Sequence, residues 1–552
     1  MFRRRPHLEQ RTGRRPALAA ACLAVLTATG FAAPAAPQQD APLRLSLADA
    51  LRLALEQNLD IAVIDYDRRI ARERIVTELG AFDPVIGVGT PGATAMVGSP
   101  GGGFGQAAPA AGGIGYSSSE TPSTSALAGA DVSRAAAFAT RAQVRQRFDF
   151  GLSYEAAYDV GRSTTNSTFT SLDPSWSNNL GFAVSQSLLR GRGKEASGSQ
   201  LLLAQRNRTV SEENFRAQVN GILFDVVNAY WELVFAERNM QVAESSSQLA
   251  QEQLGRTRDQ VEVGMLAPVE ETQAQVAVAQ RRNDLILARN ASANAADTLR
   301  ALLEAESLPG GWETELVVTE DPAVTPRPAD VDAALQAALA NRPEVVAAEA
   351  TIAANRVQVD KARSDLLPAL DLVGSLLYQG IGGDRLVRGA FPDTRIIEVI
   401  PGGYGDALSQ LFGLGFGTWR IGFNFSMPIG NHAAEGNFAQ ATLAEDQARA
   451  ELQRIRQQTI LEVRQAARSV DDAGELVVST RATRELAEQQ LAIEQDRFEV
   501  GMSTNFEVLA FQDDLARAQV QELRAMIDYL RAEAALARVT GSLPGRYGIR
   551  IQ

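Results

Sequence analysis

The chain has 552 residues, 45% hydrophobic and 22% charged, a globular balance that excludes wholesale disorder. Its 66 acidic against 53 basic residues give a net charge of −13, which repels phosphates and excludes nucleic acid as a partner. One cysteine and two histidines leave no raw material for zinc sites, disulfide scaffolds or histidine-dependent hydrolysis, so no catalytic residue, metal or cofactor is expected.

Residues 1–35 read as a secretory signal. Arg3, Arg4, Arg5, Arg11, Arg14 and Arg15 make a positive n-region, and Ala17 to Ala33 form an apolar run too short to span a bilayer comfortably. Ala33-Pro34-Ala35 supplies the small residues for a cut after Ala35. Leu18-Ala19-Ala20-Ala21-Cys22 loosely resembles a lipoprotein cleavage box, which would anchor the mature chain by lipid. Ala19 stands where leucine is usual, and the apolar run continues through Leu23, Val25 and Leu26. Both features favour a cysteine discarded with the signal. No later stretch reads as a transmembrane helix, which leaves a soluble secreted chain or one that spans an outer membrane as strands.

The mature part reads as a duplication. A first helix is expected over about 46–80, capped by Ser46 and ended near Pro84. Residues 87–130, rich in Gly, Ser, Ala and Pro, are expected to be a flexible loop without regular structure. The segment 141–160 alternates apolar and polar residues through Phe148, Phe150, Leu152 and Tyr154, as on a barrel wall. Ala196 to Glu262 holds no proline, and Val219, Val226, Leu233 and Met240 recur every seventh residue beside Ile222, Ala229, Ala236 and Ala243. That is a coiled-coil seam on a helix roughly 100 Å long. A turn at Gly264 and a helix over about 267–304 close the first half.

The second half repeats the order. Asp330 caps a helix ended by Pro368, in the same frame as Ser46 and Pro84. Leu370, Leu372 and Leu376 hint at one strand, and Phe416, Trp419, Ile421, Phe423 and Phe425 mark another. Val463, Val470 and Val477 begin a second seam, and Leu486, Ile493 and Val500 resume it after a phase slip. Gly501 then matches Gly264, and residues 505–540 read as helix. Glycine suits both turns, because ending a long helix wants a residue free to take positive φ. The units are thus a signal at 1–35, a first repeat at 36–325 and a second at 326–552. The fold class is mainly α with membrane β.

These parts resemble the TolC-like outer membrane efflux protein family, or outer membrane factors. The resemblance rests on the duplication, on Ala338 to Glu344, on Phe82-Asp83-Pro84, on Gln186 to Gly191, and on the two Val-Gly turns. It covers the whole mature chain. It implies a homotrimer whose chains share one outer-membrane β-barrel and one periplasmic α-barrel. It also implies a passive duct, joined to an inner-membrane pump through a periplasmic adaptor, in the outer membrane of a Gram-negative-type cell. Independently, one chain offers too few strands to close a barrel, and lipid does not tolerate open edges. The first insert is longer than the second, and 141–160 has no counterpart there. It is either a membrane strand, with residues near 84–90 only a lead-in, or an extracellular hairpin arm.

Carried over from the family, Val263, Gly264, Met265 and Leu266 match one adaptor-docking tip, and Val500, Gly501, Met502 and Ser503 match the other. Glu507 is expected to line the pore entrance, with Glu270 in register and Asp514 one level away; threefold symmetry would make each a ring that attracts cations. Where the family has a second acid this chain has Ala510, and Ser503 replaces its arginine. His432 reads as a junction residue rather than a ligand. Trp176, Trp419, Tyr154 and Tyr158 read as interface-belt aromatics, and Tyr230 and Trp231 as packing. The rival readings are a trimeric structural or adhesive coiled-coil protein without a pore, and, more remotely, a secreted enzyme on a helical scaffold.

Overall fold

The computed structural model describes residues 42–89, 114–122, 131–389, 395–500 and 502–549. The signal segment 1–35, with Cys22, and Gly501 lie outside them. The first half runs β1 (Leu43–Leu45), α1 (Leu47–Gln57), α2 (Leu59–Leu79), β2 (Val85–Gly89), β3 (Gly115–Pro122), β4 (Val132–Arg147), β5 (Leu152–Thr165), β6 (Leu172–Ser187), α3 (Lys194–Ser197), α4 (Ser199–Glu262), α5 (Pro268–Leu302) and β7 (Leu316–Val318). The second runs α6 (Val331–Asn341), α7 (Pro343–Asp365), β8 (Ala369–Arg388), β9 (Ile396–Ile400), α8 (Tyr404–Phe412), β10 (Gly417–Ser426), α9 (His432–Glu499), α10 (Asn505–Val539) and α11 (Leu543–Arg546).

The long helices carry the architecture. α4 has 64 residues and α9 has 68, each followed by a 35-residue partner, α5 or α10. The heptad stripe of α4 is buried at Val219, Val226 and Leu233, and so are Tyr230 and Trp231. It packs on Leu47 and Leu51 of α1, Leu299 of α5 and Ile527 and Ala534 of α10. Tyr230 also donates its hydroxyl to the Leu45 carbonyl at 3.1 Å. That bond ties α4 to β1, which pairs in parallel with β7. In α9, Val470 and Val477 pack on Ala525 and Tyr529 of α10.

Four expectations need correction. First, the helix over 46–80 is two helices. Ser46 caps α1, but Asn58 then turns extended and caps α2, its Oδ1 accepting from Ile61 N at 3.1 Å. A capping residue has non-helical backbone, so the rod breaks there. The second half breaks at the matching place, between Asn341 and Pro343, where proline suits a first helical position. Second, Leu486, Ile493 and Val500 do not resume the buried seam. They are exposed, and Leu491 and Glu494 are buried instead. The phase slip turns that stripe away from the chain's own core. Third, the segment 87–130 is not wholly loop. Gly87 to Gly89 lie in β2, and Gly115 to Pro122 form β3 against β4. The Gly/Ser-rich sequence of β3 carries no alternation to reveal it; residues 90–113 and 123–130 lie outside the described residues. Fourth, 141–160 is not one strand. Phe148 to Gly151 form a hairpin turn, closed by Phe148 N to the Leu152 carbonyl at 2.7 Å, with Gly151 at φ +94°. Phe148 and Phe150 stack on each other at 5.5 Å rather than lining a wall.

One large sheet runs in the order β10-β8-β6-β5-β4-β2, with β3 also on β4 and β9 also on β8. Helix α8 lies on it with Ala407 and Leu411 buried. Its backbone rests directly on Gly380 and Gly382 of β8: a Cβ at either would collide with the helix backbone. Gly380→Val is therefore expected to lever α8 off the sheet at a cost of about 1–3 kcal/mol. Its thermal unfolding midpoint, followed by circular dichroism, should fall relative to the parent chain; an unchanged midpoint would mean that α8 packing contributes little.

Candidate functional site

Two regions gather unusual chemistry: the turns at the far ends of the long helices, and the two faces of the sheet.

The turn after α4 is a tight helix ending. Met265 N donates to the Gln260 carbonyl at 2.8 Å, and Gly264 N to the Val261 carbonyl at 3.0 Å. Gly264 takes φ +79°, the left-handed conformation this motif needs. Met502 N makes the same bond to Arg497 after α9, also at 2.8 Å. Both turns leave apolar side chains in water: Val263, Met265, Val500 and Met502 are 69–74% exposed. Leu266 and Ser503 are half-buried.

Glu270 and Glu507 recur in register because each is the third residue of a helix, α5 or α10. Acids are favoured there by the helix dipole. Glu507 completes a capping box: its Oε2 accepts from Thr504 N at 3.0 Å and Ser503 Oγ at 2.9 Å, while Glu507 N donates to Thr504 Oγ1. The Thr504 N–H first, and then the Ser503 hydroxyl, hold its carboxyl below the usual range. Ser503 also donates to Glu494. Glu270 has no such box, since Ala267 precedes its helix, and one of its oxygens is buried without a partner. Asp514 is exposed, 3.7 Å from Arg517. His432 is exposed at the start of α9, 3.7 Å from Glu435. Among the described residues no group of three His, Cys, Asp or Glu converges as a metal site.

Sequence reasoning missed the ties between the two helical hairpins. Asn505, 1% exposed, accepts from Gln253 Nε2 at 2.7 Å and Thr257 Oγ1 at 3.3 Å. Nearby, Arg281 of α5 pairs with Asp513 of α10. These contacts join residues far apart in sequence, so no spacing pattern announces them.

The sheet has two chemically distinct faces. Cross-strand partners share a face. One row reads Ile86, Val144, Ala156, Phe182, Leu376 and Trp419; the next reads Val85, Arg145, Glu155, Ala183, Ser375 and Arg420. Tyr154, Tyr158, Trp176 and Trp419 all stand on the apolar face, where Trp176 meets Tyr404 of α8 at 5.5 Å. The other face carries Arg141, paired with Asp159 at 2.6 Å. No helix among the described residues is long and apolar enough to cross a membrane. The sheet thus has one apolar and one polar face, the alternation that a membrane barrel wall uses.

The sequence profile of the outer membrane efflux protein family matches residues 122–305 and 334–542, more than half of the chain. The chain therefore belongs to the outer membrane efflux protein family. It is an outer-membrane efflux channel with a long periplasmic helical part. The family is one of channels, not enzymes. No curated protein matches the chain. Solved structures share its fold. The outer-membrane channel OprN is 16% identical, with a TM-score of 0.59, over 90% of each chain. The Campylobacter jejuni CmeC outer membrane channel is 15% identical, with a TM-score of 0.57, over 90% of this chain and 86% of that one. The open state of the Neisseria gonorrhoeae MtrE outer membrane channel is 17% identical, with a TM-score of 0.54, over 90% and 89%.

The capping box gives a pH prediction. A carboxyl held below its usual value stabilises the helix start above the unfolded-state value, and that contribution fades as pH falls through the lowered one. Hydrogen exchange over residues 504–508 should speed up several-fold in Glu507→Ala at neutral pH and by less in Glu507→Gln, which keeps a capping side chain but not its charge. In the parent chain the loss of protection should begin only below the ordinary carboxylate range. Equal exchange in all three proteins would show that the box does not hold the helix start.

Proposed function

We propose that the chain is one third of a trimeric, passive export duct. It is coupled through a periplasmic adaptor to an inner-membrane transporter. The observation that carries this reading is a sheet of membrane character whose two edges are open among the described residues. In lipid every unpaired backbone group costs several kcal/mol, so the edges must meet those of other chains. The helices support the same assembly: Val63, Tyr66 and Ile70 of α2, and Leu486 and Ile493 of α9, are large, apolar and exposed. A second copy offers complementary stripes. The halves 36–325 and 326–552 are then two repeats of one ancestral unit. Native mass spectrometry in detergent should give a trimer, and planar bilayers should show unitary conductance. A stable monomer that still conducts would sink the reading, and a trimer without conductance would favour the adhesive coiled-coil protein.

In this reading Val263 to Leu266 and Val500 to Ser503 dock on the adaptor, their apolar side chains supplying the contact. Proline cannot take the positive φ of Gly264. Gly264→Pro, and by the sequence match Gly501→Pro, should abolish export while leaving membrane insertion intact. Normal adaptor crosslinking and export in both variants would remove the tips from the docking site.

The exposed Glu507 and Asp514 form the acidic entrance, with Glu270 in a lesser part because one of its oxygens is shut away. Ser503 stands where the family has arginine, and the Asn505 and Arg281–Asp513 ties take over the work of holding the hairpins together. Glu507→Gln should lower cation preference and weaken block by divalent cations. Arg281→Ala should raise the open fraction of the channel. Reversal potentials and open probability in bilayers are the readouts; unchanged values would mean that these side chains neither line nor close the entrance.

A further inference from the structure

We infer that each chain supplies six strands to the shared barrel, so that three copies make an eighteen-stranded wall, widened by the β4–β5 hairpin. The inference rests on the trimeric assembly proposed above.

The two halves of the chain contribute unequally. The second gives one strand leaving α7, β8, and one entering α9, β10; β9 pairs with residues 385–388 of β8, past the stretch that β10 covers on the same edge, and so fills the same place. A first half built alike would give one strand leaving α2 and one entering the long helix α4. Both exist. β2 pairs with residues 141–145 of β4, and β3 continues along residues 132–139 of the same edge, so together they fill one place in the sheet. β6 is the strand that leads to α4. These two are not neighbours, because β4 and β5 stand between them.

The hairpin is part of the wall and not an arm. Its turn sits at the helical end of the sheet. Gly193 N donates to the Phe150 carbonyl at 3.2 Å, and Ser187 N to the Gly151 carbonyl at 3.2 Å. Gln146 Nε2 donates to the Phe82 carbonyl at 2.9 Å, just past α2. From there β5 pairs with β6 continuously from Leu152–Gln186 to Ser163–Ser175. The alternation of faces runs unbroken across the inserted pair: Val144 and Ala156 continue the apolar row, and Arg145 and Glu155 the polar one. An arm in water would not need an apolar face in register with a membrane wall.

Closure follows from direction. Neighbouring strands along the path are antiparallel throughout, so β2 runs away from the helices and β10 runs back toward them. The β10 edge of one copy therefore meets the β2–β3 edge of the next in antiparallel sense. An even number per chain is what makes this possible. With strands ~4.8 Å apart and tilted ~40°, eighteen strands give a backbone radius of ~18 Å, against ~12 Å for twelve. The hairpin also adds Arg141, Arg145, Glu155 and Asp159 to the polar face. The membrane segment becomes a wide, charged vestibule, and the helix tips remain the place where passage is controlled.

The test is a cryo-electron microscopy map of the full-length protein in lipid nanodiscs. Six strands per subunit in a closed eighteen-stranded trimer are expected. Four per subunit, with residues 132–165 outside the lipid band, would overturn the inference. Six per subunit in an assembly of another order would overturn the trimeric reading and still support the hairpin's place in the wall. A second measurement uses nitroxide labels on Val144→Cys, Ala156→Cys, Arg145→Cys and Glu155→Cys in proteoliposomes. Relaxation by oxygen should exceed that by a water-soluble nickel complex several-fold at Val144 and Ala156, with the order reversed at Arg145 and Glu155. Water-like accessibility at all four would place the hairpin outside the bilayer and sink the proposal.

Discussion

A backbone amide in a bilayer has no water to bond, and that constraint organises this molecule. It forces the membrane part into strands whose every hydrogen bond is made to a neighbour. A strand in such a wall divides its side chains between two faces, and here Phe182, Leu376 and Trp419 share one row and Ala183, Ser375 and Arg420 the next. An open edge breaks the constraint. Among the described residues the sheet ends at β10 on one side and at β2 and β3 on the other, and in the assembly proposed above those edges meet on neighbouring copies.

The helical part answers to a different force. Water surrounds it, and burial of apolar side chains holds it together. The α4 stripe supplies the main core, and small residues such as Ala229, Ala236, Ala534 and Ala537 let the helices approach closely. Long seams of this kind leave the order of the hairpins loosely specified, because one alanine-rich stripe fits several partners. Buried polar groups restrict the choice. The buried Asn505 side-chain oxygen accepts from Gln253 and Thr257 of α4, and losing those bonds in another pairing would cost ~1–3 kcal/mol. The Asn505 tie lies at the start of α10, next to the turn that follows α9.

The turns close the long helices at the end away from the sheet. Each must reverse a helix of 64 or 68 residues within a few positions and still present a surface. After α4, Gly264 in the left-handed conformation does the first, and the exposed Val263 and Met265 do the second. Glu507 then secures the next helix through its capping box, so its charge has a structural task before it has any task in the pore.

The sequence by itself determined much of this. The heptads of α4, the twin glycine turns, the caps at Ser46 and Asp330 and the aromatic strand β10 are all local patterns, written in residues close together along the chain. The candidate tips were legible for the same reason, and the register of Glu270 with Glu507 was visible without its cause. The tertiary structure alone decided the rest. Whether Leu486 and Ile493 face the chain's own core or outward depends on where α10 lies. The pairing of β1 with β7, the ties at Asn505 and Asp513, and the strand status of the Ser-rich β3 depend on partners far away in sequence. The hairpin turn at Phe148 to Gly151 is not marked in the aromatic alternation, which continues through it, and the hydrogen bonds of Phe148 to Leu152, Ser187 to Gly151 and Gly193 to Phe150 reveal that the chain reverses. Periodicity records which way a side chain points relative to its own backbone; it holds no record of what stands opposite.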